Sequence, residues 1–108
     1  MYNYASEKIG NAVRILATSP GNVKKRLIQA ERECLMLQEK DFPIELQKNW
    51  KWVKETLNKK GPLIGPNGKV ITGAVENTLH FMRNSTGTKI ATVIYNLNWE
   101  LQNNESYL

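Results

Sequence analysis

The sequence is poor in cysteine, in histidine and in long apolar runs. Its 108 residues include one cysteine, Cys34, and one histidine, His80. A single cysteine excludes an intrachain disulfide, and no pair of these residues has the spacing of zinc ligands. No apolar run approaches the ~20 residues that a membrane-spanning helix needs. These absences predict a protein that has no metal, no cofactor and no membrane segment.

Arrangements of residues that point to catalysis are equally scarce. Gly68-Lys69 does not belong to a phosphate-binding loop, because Leu63 and Val70 stand where that motif needs glycine and Ser or Thr. Glu76 and His80 lie four residues apart on a predicted helix, where an ordinary surface contact is favoured over an acid–base pair. No nucleophile motif precedes a predicted helix. We therefore expect a protein that is not an enzyme.

The composition is that of an ordinary globular chain with an excess of positive charge. Hydrophobic residues make up 41% and charged residues 23%, too apolar for a disordered chain and too polar for a membrane protein. We expect one domain over residues 1–108. The net charge of +5 mildly favours anionic partners, including nucleic acid. The first residues do not resemble a signal peptide, and one cysteine suits a reducing compartment, so we expect a cytoplasmic protein.

Apolar residues recur at helical spacing in five segments of the chain. These segments predict a compact all-α domain with helices at about 5–17, 20–39, 43–59, 72–83 and 85–102. The residues Ser19-Pro20, Asp41-Phe42-Pro43, Thr72 and Ser85 or Thr86 are the predicted helix starts. Asn67-Gly68, flanked by aliphatic pairs, predicts a glycine-rich loop or a short β-hairpin at about 62–72.

The second predicted helix carries an apolar seam whose average step is 3.5 residues. Its members are Val23, Leu27, Ala30, Cys34 and Leu37. This spacing is typical of a helix that packs lengthwise on another helix. Because Cys34 lies within the seam, we expect its thiol to be buried and unreactive.

The segment from Ile64 to Ile71 reads Ile-Gly-Pro-Asn-Gly-Lys-Val-Ile. It resembles the Ile-Gly-x-x-Gly-x-x-Ile signature of K-homology RNA-binding domains, and 86–90 is similar to a later Thr-Gly-x-Lys-Ile stretch of that family. The resemblance implies a loop that joins two helices and clamps a nucleic-acid backbone. It covers less than a third of the chain. The two blocks lie about two helical turns too far apart, Pro66 and Asn67 are unusual between the glycines, and no strand is predicted before the loop. A glycine-rich turn between helices is the alternative.

The fourth and fifth predicted helices also suggest a weak helix-turn-helix arrangement. Gly87 would be the turn glycine, and Thr88, Lys89 and Thr92 would face the DNA groove. Arg83 and Asn96 do not fit, since those positions need a small and an apolar side chain.

Two groups of residues on the outer faces of the helices are candidate interfaces. The first predicts a protein partner or a homodimer and consists of Tyr95, Trp99, Ile28 and Leu35. The second, an alternative, predicts nucleic-acid binding and consists of Lys48, Lys51, Trp52, Lys59 and Lys69. Two structural explanations stay open: Trp52 covers a core edge beneath lysine stems, or the fifth helix is buried on both sides.

Overall fold

The computed structural model of the chain describes residues 2–107. This part of the chain forms five α-helices and a two-stranded antiparallel hairpin, so the prediction of a five-helix, mainly α fold is confirmed. The helices are α1 (Asn3–Thr18), α2 (Val23–Glu33), α3 (Ile44–Leu57), α4 (Ala74–Phe81) and α5 (Asn84–Asn103). The strands are β1 (Leu63–Ile64) and β2 (Val70–Thr72).

One hydrophobic cluster forms the core, and every helix contributes at least one fully buried aliphatic side chain to it: Ile9, Leu27, Val53, Leu79 and Ile90. The longest helix, α5, packs against α1, α2 and α3. Among residues 2–107, no helix combines the length and the apolar character needed to cross a lipid bilayer.

Helix α2 is shorter than predicted at both ends. It begins at Val23 because the side chain of Asn22 accepts a hydrogen bond from the Lys25 amide and so caps the first turn. Ser19-Pro20 instead lies in the connection before the cap, where Gly21 adopts a positive φ of 96°. The helix ends at Glu33 rather than near residue 39.

The buried apolar seam of the second predicted helix continues beyond the end of α2. Cys34 and Leu37 remain buried although both follow the last residue of α2. The Leu37 carbonyl, free of a helical partner, accepts hydrogen bonds from Trp50 Nε1 and Lys54 Nζ, both at 3.3 Å. These bonds fix the end of the seam to α3, so apolar spacing continues through a region that is no longer helical.

The other predicted helix starts are also displaced. Asp41 ends a 3-10 turn at Glu39–Asp41, where its carboxylate accepts from the Gln38 amide, and α3 begins after Pro43. Thr72 is the last residue of β2, and Gly73 precedes α4. Helix α5 begins after its N-cap Arg83, two or three residues ahead of the predicted Ser85 or Thr86 cap. Gly87 therefore lies inside the first turn of α5 and is not the turn glycine of a helix-turn-helix motif.

The glycine-rich segment forms the hairpin, with Leu63 opposite Thr72 and Ile64 opposite Val70. Gly68 takes the positive φ that the turn requires, 78°, and the Gly65 amide donates to the Lys69 carbonyl at 2.8 Å. The Gly-x-x-Gly residues thus belong to a hairpin turn and not to a loop between two helices. The K-homology resemblance does not extend to the architecture.

Candidate functional site: a groove between two helices

A groove runs between α3 and α5, which lie antiparallel. Leu46 near the start of α3 lines it together with Leu97 and Trp99, near the end of α5. One turn further along α3, Asn49 lies beside both Asn96 and Thr92. The α3–α5 groove comprises two adjoining hollows, of about 270 and 420 Å³, which share Asn49. Their further lining residues are Trp52, Thr88, Lys89, Val93 and Glu100.

Two tryptophans line this groove, and they and Tyr95 of α5 remain about half exposed. Trp52 is 40% exposed, Trp99 53% and Tyr95 54%. Trp52 points outwards because its chain neighbours Lys51 and Val53 fall on other faces of α3, and Val53 is fully buried. Tyr95 and Trp99 are one turn apart on the outer side of α5, next to Thr92. The sequence predicted that Trp52, Tyr95 and Trp99 lie outside the core, and all three rings are exposed.

Two aromatic residues that the sequence assigned to different partners line the two adjoining hollows of the α3–α5 groove. Trp52, placed in the basic set, lines the larger hollow, and Trp99 lines the smaller. The lysines of that set are dispersed by contrast. Lys48 and Lys51 are exposed on α3, and Lys51 Nζ lies 3.9 Å from Glu55 Oε1. Lys59 lies beyond the end of α3, and Lys69 lies in the hairpin turn.

Ile28 and Leu35, which the sequence placed on the second predicted helix, do not line the groove. Ile28 is half-buried and faces a separate hollow of about 530 Å³ between α2, α4 and the hairpin, together with Leu63 and Phe81. Leu35 is 62% exposed but follows the end of α2. The expected second apolar stripe of α2 is therefore absent, because the residues after Glu33 leave helical geometry. Trp99 is the only member of that set that lines the groove, and Tyr95 lies one turn before it on α5.

Several groove residues escaped the sequence reasoning, namely Leu46, Asn49, Val93, Asn96 and Glu100. Leu46 and Val93 belong to the apolar spacing of their helices, which predicts core positions, and the others carry no binding motif. Their common signal is spacing: each recurs at three or four residues along its own helix. Spacing alone does not reveal that α3 and α5 are neighbours, and so it does not reveal the groove.

The residues considered for catalysis have separate partners. Glu76 Oε1 lies 3.5 Å from Arg32 Nη2, and the His80 ring packs edge-on against Phe81 at 4.8 Å between centroids. Burial, with a smaller contribution from Glu31 and Glu33, raises the pKa of the Cys34 thiol from 9.0 to about 12. The thiolate is therefore strongly disfavoured. Among the described side chains there is also no group of three or more residues suited to hold a metal ion.

Compared with protein-family models, with curated proteins and with solved structures, the chain matches none. The α3–α5 groove is therefore interpreted from its own chemistry. The larger hollow has one charged lining residue, Lys89, and the smaller has one, Glu100; the other lining residues are apolar or uncharged. Such a site offers apolar contact area rather than reacting groups.

Proposed function

We propose that this chain is a small, non-enzymatic, cytoplasmic interaction protein that binds a protein partner or a second copy of itself through the α3–α5 groove. One observation carries the proposal: Trp52 and Trp99, from two different helices, line one groove and both stay about half exposed. Tryptophan and tyrosine are the residues that most often dominate binding energy at the centre of an interface.

The contrast with Trp50 supports an external role for the other two rings. Trp50 is 3% exposed, stacks on Phe42 at 5.4 Å between centroids and donates to the Leu37 carbonyl. Its ring is packed in the core, and its indole N–H has a hydrogen-bond acceptor there. Neither Trp52 nor Trp99 has a hydrogen bond from its indole N–H to another described residue. A partner that covers both rings supplies the apolar contacts and the hydrogen-bond acceptors that the fold does not.

The exposed area is large enough to matter for binding. A half-exposed tryptophan leaves roughly 100 Å² of apolar surface for a partner, which corresponds to about 2.5 kcal/mol for each ring. Only two of the residues that line the groove are charged, Lys89 and Glu100, and depletion of charge is usual in the core of an interface.

The proposal is tested by changing the groove rings and comparing a matched ring elsewhere. Trp52→Ala with Trp99→Ala is compared with Tyr4→Ala, because Tyr4 is 43% exposed on α1 and does not line the groove. If the protein self-associates, its mass in solution by light scattering falls to the monomer in the double variant and is unchanged in Tyr4→Ala. If it binds another protein, that protein is retained by Tyr4→Ala and by the unaltered chain but not by the double variant. Equal retention by all three forms contradicts the proposal.

Nucleic-acid binding is the second candidate, and it is favoured by the position of Lys89 beside Trp52 in the groove. An aromatic face next to a cation suits a stacked base and its phosphate. Binding of this kind weakens steeply as salt is raised, whereas an apolar interface is much less sensitive. Lys89→Glu is expected to release RNA or DNA if this candidate holds, because Lys89 lines the same hollow as Trp52. Unchanged retention on the two polyanions argues against it.

A further inference from the structure

Three cations surround a hollow of about 540 Å³ where α3 ends and α4 and α5 meet. We define the basic basin by six of its lining residues: Thr56, Lys59, Lys60, Thr78, Arg83 and Thr86. We propose that the basic basin binds a phosphate group, carried by a nucleotide or by a polynucleotide backbone. This site is separate from the aromatic centre of the α3–α5 groove, and it does not depend on the function proposed above.

The charge of the basin is not compensated within the described chain. Lys59, Lys60 and Arg83 line it, and none of its lining residues is acidic. The ion pairs among the described side chains are Arg32 with Glu76 and Lys51 with Glu55, so neither involves the basin. Like charges that share one hollow repel each other. A bound anion relieves this repulsion, so its electrostatic free energy of binding is more favourable here than at a single surface lysine.

The two connections that carry the cations are held in place by other parts of the fold. The Lys60 amide donates to the Thr78 hydroxyl at 3.0 Å, and Asn77 Nδ2 donates to the Gly61 carbonyl at 3.0 Å. On the other side, Lys24 Nζ donates to the Met82 carbonyl at 3.0 Å. The backbone of the basin is thus ordered without a ligand, which lowers the entropic cost of binding.

Thr78 is the polar group that faces the hollow from inside the fold. It is 4% exposed, yet it lines the basin. Its oxygen accepts from the Lys60 amide, which leaves the hydroxyl proton free to donate. A buried hydroxyl without an acceptor is costly, and a phosphate oxygen in the basin supplies one.

Two further features favour a phosphate over a smaller anion. Lys60 Nζ lies 4.4 Å from the centroid of the Phe81 ring, which holds the ammonium at the basin wall. Helix α5 starts at this point without a side-chain cap, so its first amides add donors to those of Arg83 and the lysines. Several oxygens of one phosphate engage such a set of converging donors, whereas a carboxylate has only two.

The test uses titrations with inorganic phosphate, pyrophosphate, ADP and a single-stranded oligonucleotide, followed by NMR shifts of backbone amides. We expect the amides of Lys60, Arg83 and Thr86 to shift together and to saturate with at least one probe. Saturation by pyrophosphate or ADP identifies a nucleotide-type ligand, and saturation by the oligonucleotide alone identifies a polynucleotide backbone. Both results support the proposal. Failure of all four probes to shift these amides overturns it.

A matched pair of variants separates a built site from general attraction to positive charge. Lys59→Gln with Arg83→Gln removes two charges from the basin, and Lys40→Gln with Arg14→Gln removes two exposed charges elsewhere. We expect affinity for the saturating probe to fall at least tenfold in the first variant and less than twofold in the second. Equal losses overturn the proposal. Trp52→Ala with Trp99→Ala is expected to leave phosphate binding unchanged, so failure of the groove proposal is distinguishable.

Discussion

Helix α5 contacts α1 and α2 on one side and α3 on the other, and the two sides differ in the size of the residues at the contact. On the first side Gly87 allows close approach, because a Cβ placed on it would lie only 3.1 Å from Val23 Cγ1. On the second side Trp52 and Trp99 stand at the α3–α5 groove and are only half covered.

This difference separates two uses of apolar surface. The side of α5 that faces α1 and α2 is buried in the core, because a small residue lets the neighbouring helices pack closely there. The side that faces α3 keeps apolar area available for another molecule. Substitutions on the closed side are therefore expected to change stability, and substitutions on the open side are expected to change binding.

The largest expected effect is on the core stripe of α5. Ile90→Ala removes a fully buried side chain and leaves a cavity. We expect the free energy of unfolding to fall by about 2–5 kcal/mol, measured by urea denaturation. Tyr95→Ala on the same helix is the control and is expected to cost less than about 1 kcal/mol. Equal losses would show that the two sides of α5 do not differ.

The glycine contact gives the next largest effect. Gly87→Leu forces a branched side chain against Val23 and Leu27, whose atoms lie 3.1 and 3.5 Å from the Cβ position. We expect overpacking to lower the free energy of unfolding by about 1–3 kcal/mol, seen as a lower thermal midpoint. Gly73→Leu is the control, because a Cβ there meets nothing within 4 Å. A stability loss in Gly73→Leu as large as that in Gly87→Leu would contradict the packing argument.

Cys34, buried just after the end of α2, makes stability depend on pH. Burial raises its pKa from 9.0 to about 12, so the folded state retains a proton that the unfolded state has lost between these values. The contribution to stability is fully present below pH 9 and declines as pH rises towards 12. We expect a loss of about 1 kcal/mol by pH 10 from this group. Cys34→Ala removes that part of the pH dependence, measured by urea denaturation at pH 8 and pH 10. An identical pH dependence in the variant contradicts it.

The smallest expected effect on stability comes from the open side. Trp99→Ala removes a ring that is 53% exposed, and we expect the free energy of unfolding to change by less than about 1 kcal/mol. The same substitution is expected to weaken partner binding or self-association, since the ring lines the α3–α5 groove. A stability loss comparable to that of Ile90→Ala would assign Trp99 to the fold instead.

The sequence predicted the helices, the hairpin and most of the core because apolar spacing is imposed by local geometry. The predicted helix ends were wrong, because a single capping hydrogen bond can determine where a helix begins. Asn22, and not Ser19, caps α2, and the turn after Glu33 keeps Leu37 buried without a helix. The outward position of Trp52 and Trp99 was predictable from spacing, whereas their meeting in one groove depends on the antiparallel pairing of α3 with α5. The basic basin is formed by residues from the α3, α4 and α5 regions, and the sequence of no single region predicts it.

The three tryptophans differ in access to water, and this gives the chain two separate optical signals. Trp50 is sealed in the core, whereas Trp52 and Trp99 face solvent. In the native state iodide therefore quenches the emission of the outer pair and spares the shorter-wavelength emission of the inner ring. Denaturation exposes the sealed fluorophore, whereas complex formation shields the accessible ones, so quenching moves in opposite directions for the two events.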